Sequence, residues 1–256
     1  MVNQTNARLE AASTPAELFA AIEPKRAMVI TAHPDDCEFM CGGTVAVLTA
    51  AGWTVDIMVV TSGNKGTKDP KVTSQQLAGE REEEQREAAR ILGANEPIYL
   101  GFHDGGVLDN DELRELIVYQ MRKRRPELVI TWDGFRPGFN HRDHRNVGRS
   151  TYDGIFPAAD DHLYHPEHKD EGLEPHRPLA LLLGGQANTG DPDFYVDIEP
   201  VLRKKVRAIL AHTSQMRGRT EADTLKQWRE AADRSKTERP ELPAYREAYR
   251  RVLFRR

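Results

Sequence analysis

Two short segments of the chain combine histidine with aspartate at spacings suited to metal chemistry. The first contains His33, Asp35 and Asp36, and the second contains His141 and His144, which lie three residues apart. Two imidazoles and one carboxylate are a normal ligand set for a catalytic zinc ion, with the fourth position left to water. Either segment alone is more often a turn or an exposed helix face, so the metal hypothesis depends on both segments reaching one place.

The apolar pattern indicates how the fold brings these segments together. Five apolar runs of strand length are separated by segments of helical period. The predicted strands are Ala27–Thr31, Val55–Thr61, Pro97–Leu100, Leu128–Thr131 and Leu179–Leu183. Continuous apolar strands that alternate with helices are typical of a parallel sheet covered on both faces. We therefore predict an α/β fold with a Rossmann-like, doubly wound, mostly parallel sheet.

Both histidine segments directly follow a predicted strand. His33 comes just after the first strand, and His141 and His144 come after the fourth. Ligands of open α/β sheets bind at the carboxyl ends of the strands, so the two segments are expected to face one crevice. Pro34 favours an extended backbone at His33, which places the following carboxylates on a stiff turn.

Segments of helical period connect the strands. The predicted helices are a short one capped by Thr14, then Thr44–Ala51, Gln75–Leu92, Asp111–Arg124, Glu199–Ala211 and Glu221–Lys236. The Gly42-Gly43 pair is expected to precede the second of these helices and to allow close backbone approach there. Asn140 is the predicted N-cap of a further helix that carries His141 and His144 on one face.

The chain is predicted to form one domain, because no repeat or low-complexity linker divides it. Residues from about 27 to 215 are its expected core. Residues from about 216 to 256 are expected to form a charged helical tail that is solvated or packed on a neighbouring subunit. Residues 157–178 are predicted to be a polar loop in which His162, His165 and His168 are solvated and not bound to a metal.

The chemistry-bearing segments resemble a known family. HPDD at 33–36, EFMCGGT from Glu38 onward, and the later HRDH at 141–144 resemble the PIG-L/LmbE family of metal-dependent N-deacetylases. Further similar segments are TSG at 61–63, REEE at 81–84, GFHDG at 101–105 and HTSQ at 212–215. The commonest family form has glutamate directly after the second aspartate, whereas here Cys37 intervenes, as in one subgroup. The resemblance runs from about residue 27 to about residue 215.

The resemblance implies a zinc-dependent N-deacetylase, a hydrolase of linear amides. Members of the family deacetylate N-acetylglucosaminyl-phosphatidylinositol and the precursors of mycothiol and bacillithiol. By position, His33, Asp36 and His144 are implied as the zinc ligands. Asp35 is implied as the general base, and His141 as the histidine that helps to stabilise the tetrahedral intermediate. Sites of this donor set also accept Fe²⁺ and Co²⁺, so the native metal stays open.

Three further residues are predicted to bind the substrate. Arg81 offers a planar set of donors for hydroxyl or phosphate oxygens, Asp104 lies in a glycine-rich loop after the third strand, and His212 ends a helix. Each has a structural alternative: a helix-surface ion pair for Arg81, a simple turn for Asp104 and a favourable helix terminus for His212.

The composition narrows the classes of partner and compartment. The net charge of −4 does not favour a nucleic acid or an anionic membrane surface as partner. No apolar stretch approaches the about 20 residues that cross a bilayer, and two cysteines fit a reducing cytoplasm. We predict a cytoplasmic protein, and the resemblance implies a small N-acetylated aminosugar or glycoconjugate as its substrate. The resemblance also allows a homo-oligomer.

Two alternative functions stay open on the sequence. The first is an amidase or deacylase that uses the same site on a thiol conjugate or a non-sugar amide. The second is a non-catalytic, metal- or nucleotide-binding regulatory protein on a Rossmann-like sheet. The second is disfavoured because no dinucleotide-binding fingerprint is present and Asp35 would be an unexplained carboxylate.

Overall fold

A sheet of mostly parallel strands forms the centre of the molecule. The computed structural model describes residues 2–138, 141–185 and 192–254. The strands are β1 (Arg26–Thr31), β2 (Thr54–Thr61), β3 (Ile98–Phe102), β4 (Leu128–Trp132), β5 (Ala180–Gly184), β6 (Phe194–Asp197) and β7 (Arg246–Leu253). In this part of the chain their order is β3-β2-β1-β4-β5-β7-β6. Strands β1 to β5 pair in parallel, and β7 runs antiparallel to both of its neighbours. The predicted Rossmann-like α/β fold is confirmed.

Helices cover both faces of this sheet. They are α1 (Val2–Ala11), α2 (Pro15–Ala21), α3 (Asp36–Ala50), α4 (Ser74–Leu92), α5 (Asp111–Arg124), α6 (Arg142–Asp153), α7 (Leu202–Ala211) and α8 (Glu221–Glu238). Val29 of β1 packs with residues of α3, α4 and α7, whereas its neighbour Ile30 packs with residues of α5 and α6. Both faces are apolar because successive strand residues point to opposite sides. None of the described helices has the length and apolar character of a membrane span.

Helix α3 begins earlier than predicted, at Asp36 and not at Thr44. The Gly42-Gly43 pair therefore lies inside the helix and does not precede it. A Cβ atom on Gly43 would come within 2.5 Å of the Ile198 side chain. Close packing thus explains Gly43, and the helix has a kink at Cys41, directly before the pair, where φ is −145° and ψ is 15°. The prediction that the helix first starts at Thr44 is wrong.

The last element of the described residues is a strand, which corrects the predicted helical tail. Helix α8 agrees with the prediction, but residues 246–253 form β7 in the sheet. The carboxylate of Glu247 on this strand is buried, and it accepts hydrogen bonds from the backbone N–H groups of Gly43 and Thr44 at 2.8 and 2.6 Å. Lys205 balances its charge. Strand β7 is therefore fastened to the helix that carries Asp36.

The polar segment 157–178 is fastened by one buried arginine. It contains a short 3-10 helix, Pro166–Glu171. The guanidinium of Arg122 on α5 donates to the backbone carbonyl oxygens of Ala158, Ala159, Asp161, Tyr164 and His165. His168 is 3% exposed and lies 3.2 Å from the same guanidinium. The expectation of a solvated loop is therefore wrong for His168.

Candidate metal centre

The two histidine segments meet where the strand order changes direction. Strand β1 lies between β2 and β4, so the connections from β1 and from β4 lead to opposite halves of the sheet. The crevice at such a switch point is the usual ligand site of an open α/β sheet. The residues that follow these two strands are His33, Asp35 and Asp36 after β1, and His141 and His144 after β4.

The three predicted metal ligands have their donor atoms close together. His144 Nε2 lies 3.0 Å from Asp36 Oδ1 and 3.2 Å from His33 Nδ1. His33 Nδ1 lies 3.5 Å from Asp36 Oδ2. Each of the three side chains is at most 15% exposed. The fold thus brings these atoms into one small, largely buried space.

The separations fit one tetrahedral metal ion. Zinc binds imidazole nitrogen and carboxylate oxygen at about 2.0–2.1 Å, which places neighbouring donor atoms of a tetrahedron about 3.3 Å apart. His141 also brings a ring nitrogen within 4.8 Å of those of His33 and His144. Asp36 is the better third ligand, because it is 3.0 Å from His144 and supplies negative charge to a dication.

The side chain of Asp36 is held with one oxygen directed at the histidines. Its Oδ2 accepts hydrogen bonds from the backbone N–H groups of Ala32 and His33, at 3.1 and 2.9 Å. The indole N–H of Trp132 donates to the same oxygen at 3.2 Å. Oδ1 is left facing His144. This division of the two oxygens is typical of a ligand that is oriented before the metal binds.

Two carboxylates orient His33 from behind. Its Nε2 lies 3.2 Å from Asp143 Oδ2 and 3.2 Å from Asp104 Oδ1. A proton on Nε2 would be donated to these carboxylates, which leaves Nδ1 for the metal. Burial lowers the pKa of His33, but its hydrogen bonds to the carboxylates of three aspartates, Asp104 first, raise it to about 12. So much negative charge around one imidazole favours a bound cation.

Asp143 contacts the candidate ligand His33, whereas the sequence prediction treated it only as part of a helix terminus. It is fully buried, and its Oδ2 also accepts from the backbone N–H of Gly105 at 2.7 Å. Its position between His141 and His144 was the available signal. An aspartate in the first turn of a helix is common for reasons of capping, so that signal did not indicate a contact with His33.

The change Asp143→Asn is expected to lower metal affinity by about 10- to 100-fold, as is usual when the outer partner of a ligating histidine is weakened. The amide still fills the space but no longer carries the negative charge that orients His33. Competition with a chelator of known affinity measures the change. Asp153→Asn, at the other end of α6, is the matched control. Equal affinity in Asp143→Asn and wild type would contradict the role of Asp143.

Asp35 has an unusual backbone conformation beside the metal ligands. Its φ is +94°, which non-glycine residues rarely adopt, and it stands directly before α3. Arg81 Nη2 lies 3.1 Å from Asp35 Oδ2 and also donates to the carbonyl of Pro34. Arg81 Nη1 donates to the carbonyl of Gly63 at 3.0 Å. The carboxylate of Asp35 is thus held next to Asp36 without being one of the three ligands.

The environment of Asp35 brings the pKa of its carboxyl group close to neutral pH. Burial and the negative charge of Asp36 raise its pKa to about 7, and the charge of Arg81 opposes this rise. A general base works best when its pKa is near the working pH. The carboxylate therefore has the position and the pKa of a group that exchanges protons at neutral pH.

His141 stands at the entrance of helix α6 and faces the other two histidines. The helix begins at Arg142 with His141 as its N-cap, and the backbone N–H of Asp143 donates to His141 Nδ1 at 3.3 Å. The predicted cap, Asn140, lies outside the described residues. The His141 ring centre is 4.5 Å from that of His33, and burial lowers the pKa of His141. A neutral imidazole that accepts at Nδ1 carries its proton on Nε2 and can donate it in a hydrogen bond.

Two of the three predicted substrate residues make their contacts inside the protein. Arg81 is 4% exposed, and both of its terminal nitrogens bind the groups described above. His212 is fully buried, with its Nε2 3.1 Å from Glu38 Oε2. Burial opposes its charged form, yet the hydrogen bond to Glu38 raises the pKa of His212. The described contact of His212 is thus with Glu38 in the protein interior, and its predicted substrate contact stays a prediction.

Comparison with known proteins identifies the family of this chain. Residues 28–155 match the family profile PIG-L, described as GlcNAc-PI de-N-acetylase. The chain belongs to the PIG-L family. This range contains the three candidate metal ligands together with Asp35 and His141. Because PIG-L proteins are deacetylases, the chain is assigned to the enzymes that hydrolyse amides.

Two named relatives are similar over most of this PIG-L chain. Diacetylchitobiose deacetylase of Thermococcus kodakarensis is 36% identical over 193 residues, which is 75% of this chain and 70% of the relative. The 1D-myo-inositol 2-acetamido-2-deoxy-alpha-D-glucopyranoside deacetylase of Actinosynnema mirum is 27% identical over 231 residues, with coverage of 75% and 81%. Both names describe deacetylases of acetamido sugars.

A solved PIG-L-like structure agrees over nearly the whole chain. N,N'-diacetylchitobiose deacetylase of Pyrococcus horikoshii, solved with its inhibitor MPG, superimposes with a TM-score of 0.82 at 26% identity. The alignment covers 99% of this chain and 93% of the other. The C-terminal part that the sequence analysis treated as a tail is therefore included in the shared fold.

Proposed function

We propose that this protein is a zinc-dependent N-deacetylase that removes the acetyl group from an N-acetylglucosamine-type substrate. One observation carries the proposal: His144 Nε2 lies 3.2 Å from His33 Nδ1 and 3.0 Å from Asp36 Oδ1, beside the carboxylate of Asp35. These are the donors that zinc prefers in hydrolytic sites. The crevice position and the family membership support the same function.

The proposed catalytic roles follow from which side chains of the site are not used as metal ligands. A zinc ion on His33, Asp36 and His144 would lower the pKa of water toward about 7 and polarise the amide carbonyl. Asp35, which is not a ligand, accepts the proton of the attacking water as the new C–O bond forms. The C–N bond then breaks, and either Asp35 or His141 returns a proton to the departing amine. Acetate and the free amino sugar are the products.

His141 is proposed to stabilise the negative charge that develops on the amide oxygen. Its accepting Nδ1 leaves the Nε2–H group as the donor, so the neutral ring can serve. A fixed donor aimed at the developing charge is usually worth several kcal/mol of barrier, about 10²–10³-fold in rate.

We propose different roles for Arg81 and Asp104. Arg81 orients Asp35 and opposes the rise of its pKa, as its 3.1 Å contact supports. Asp104 supports His33 through Oδ1, and its side chain is 12% exposed. That exposed part of Asp104 is proposed to accept a hydrogen bond from a hydroxyl group of the sugar.

Arg81→Met is expected to move the acidic limb of the kcat/KM profile to higher pH by about one unit or more. Asp35 must be ionised to accept a proton, so activity is present above its pKa and is lost as pH falls through it. The cation of Arg81 lowers this pKa, so its removal raises it. Rates between pH 5 and 9 give the limb, and Arg81→Lys is the control that keeps the charge. An unmoved limb in Arg81→Met would contradict the proposed coupling.

The substrate class rests on the relatives and is tested by a panel. Metal-loaded protein is assayed for free amine released from N-acetylglucosaminides with different aglycones, and from N-acetylated thiol conjugates and simple acetamides. Sugar substrates are expected to react fastest, and chelation is expected to abolish release. Preference for a thiol conjugate or a simple amide would favour the alternative amidase and leave the metal mechanism in place.

The native metal and the compartment are part of the same proposal. Zinc suits two imidazoles and a carboxylate, while Fe²⁺ and Co²⁺ suit them as well, so metal analysis of protein purified from its own cell decides. We propose a cytoplasmic location. Cys37 and Cys41, both buried and free of disulfide bonds, support it. Assembly into a homo-oligomer stays a prediction.

A further inference from the structure

The backbone of Asp35 needs a partner to hold its conformation. Its φ of +94° lies in a region that costs a non-glycine residue free energy, so neighbouring contacts must select it. Relaxation to an extended backbone would swing the carboxylate away from the crevice. The contact of Arg81 fixes the end of the side chain, and a separate contact fixes the main chain.

Gln85 on helix α4 provides the main-chain contact. Its Oε1 accepts a hydrogen bond from the backbone N–H of Asp35 at 3.0 Å. Gln85 is fully buried. An amide side chain can present either its oxygen or its nitrogen, and only the oxygen accepts. Something must therefore fix which way the amide of Gln85 points.

Glu38 and His212 fix the orientation of that amide. Gln85 Nε2 donates to Glu38 Oε1 at 2.9 Å, and Glu38 Oε2 lies 3.1 Å from His212 Nε2. Both Glu38 and His212 are fully buried. Glu38 can only accept when ionised, so it binds the nitrogen of Gln85 and turns the oxygen toward Asp35. His212, at the C-terminal end of α7, holds the other oxygen of Glu38.

Burial of such a chain is a weak source of stability. A buried charged pair loses its hydration, and apolar residues of the same volume often stabilise a core at least as well. What this series of hydrogen bonds supplies is a single orientation of the Gln85 amide toward Asp35. Gln85 and Glu38 lie on the two helices α4 and α3, and His212 follows α7, so three elements are aligned on one backbone N–H.

We propose that Gln85, Glu38 and His212 are positioning residues that hold Asp35 in its working conformation. They act through the backbone of Asp35 and do not touch the substrate. The inference rests on the proposed deacetylase function, in which Asp35 accepts a proton. It assigns to His212 a role that replaces the predicted substrate contact.

The first test is Gln85→Met, which keeps the volume and removes the acceptor. We expect kcat to fall about 10- to 100-fold, as for a misplaced reacting group, with KM within twofold and metal content unchanged. Gln120→Met on α5 is the matched control and should retain wild-type rates. A KM effect without a kcat effect, or wild-type kcat in Gln85→Met, would overturn the inference. Inactive wild-type protein would instead overturn the proposed function.

The second test asks whether Gln85 acts through Asp35. If it does, Gln85→Met should cost little further when added to Asp35→Asn, because the carboxylate that Gln85 positions is already absent. Independent losses that multiply would show a general structural effect and contradict the inference. The exchange Gln85→Glu with Glu38→Gln keeps one acceptor for Asp35 and one bond between the two side chains. This double exchange should recover most of the rate that Glu38→Gln alone loses. Failure to recover would also contradict the proposed positioning role of Gln85, Glu38 and His212.

Discussion

Asp35→Asn is expected to lower the deacetylation rate by about 10²–10⁴-fold while the protein keeps its metal. The amide has the size of the carboxylate but cannot accept a proton from water at neutral pH. Asp35 is not one of the three donors at tetrahedral spacing, so metal binding should persist. Steady-state rates and metal content per chain are the two measurements. The result separates the general base from the ligand set.

A suitable control for this variant is Asp56→Asn. Asp56 is also buried, but it lies on β2 and bonds to Asn95 at 2.9 Å, away from the carboxyl end of the strand. Its replacement should leave the rate unchanged. Full activity in metal-loaded Asp35→Asn would remove Asp35 from the mechanism. Loss of metal in Asp35→Asn would instead show that Asp35 belongs to the ligand set.

His144→Ala is expected to lose the metal and to lower activity by about 10³-fold or more, because the metal contributes several kcal/mol to the transition state. His144 Nε2 lies within 3.2 Å of donor atoms on both His33 and Asp36, so its removal leaves two ligands. Metal content by elemental analysis and activity with added zinc are measured together. His162→Ala, at a histidine whose side chain is 80% exposed, is the control.

The outcome of His144→Ala distinguishes two arrangements of the site. Loss of metal with recovery at high zinc concentration indicates a weakened three-ligand site. Full metal occupancy would show that His33, Asp36 and His141 hold the ion without His144. Retained metal and retained activity together would contradict the assignment of His144.

The central strands and the site-bearing strand ends were predictable from the sequence. Strands β1, β2, β4 and β5 are buried on both faces, so each appears as an unbroken apolar run. The crevice was expected because both motifs stand at the carboxyl ends of strands, and the observed strand order makes these two strands neighbours at the switch point. The residue types in the two motifs favoured a metal site, and the family resemblance implied His33, Asp36 and His144 as its ligands.

The elements that were missed depend on partners distant in the sequence. Strand β7 is rich in arginine and glutamate, and its place in the sheet depends on β5 and on the pairing of Glu247 with Lys205. The start of α3 was obscured by Gly42 and Gly43, which look like helix breakers until Ile198 is seen against them. Local pattern carries no information about such long-range packing.

The roles of the charged residues around the ligands were the least predictable part of the site. Arg81 and His212 are residue types that often contact substrates. Here both side chains are buried, and they contact Asp35 and Glu38. Asp143 looked like a helix-terminal residue and instead binds His33 at 3.2 Å. Which charged side chain contacts the far side of a ligating histidine depends on where the helices lie. Residue spacing alone does not determine that contact.

The most direct test of the account is a metal titration of the apoprotein with an N-acetylglucosaminide as substrate. Acetate release is followed as zinc is added in steps to a known concentration of chains. We expect the rate of acetate release to rise up to one zinc per chain. At that point His144→Ala should release no acetate, and a chelator should abolish all release by the wild-type protein. Acetate release that is independent of metal, or no release at full metal occupancy with any acetamido sugar, would contradict the account.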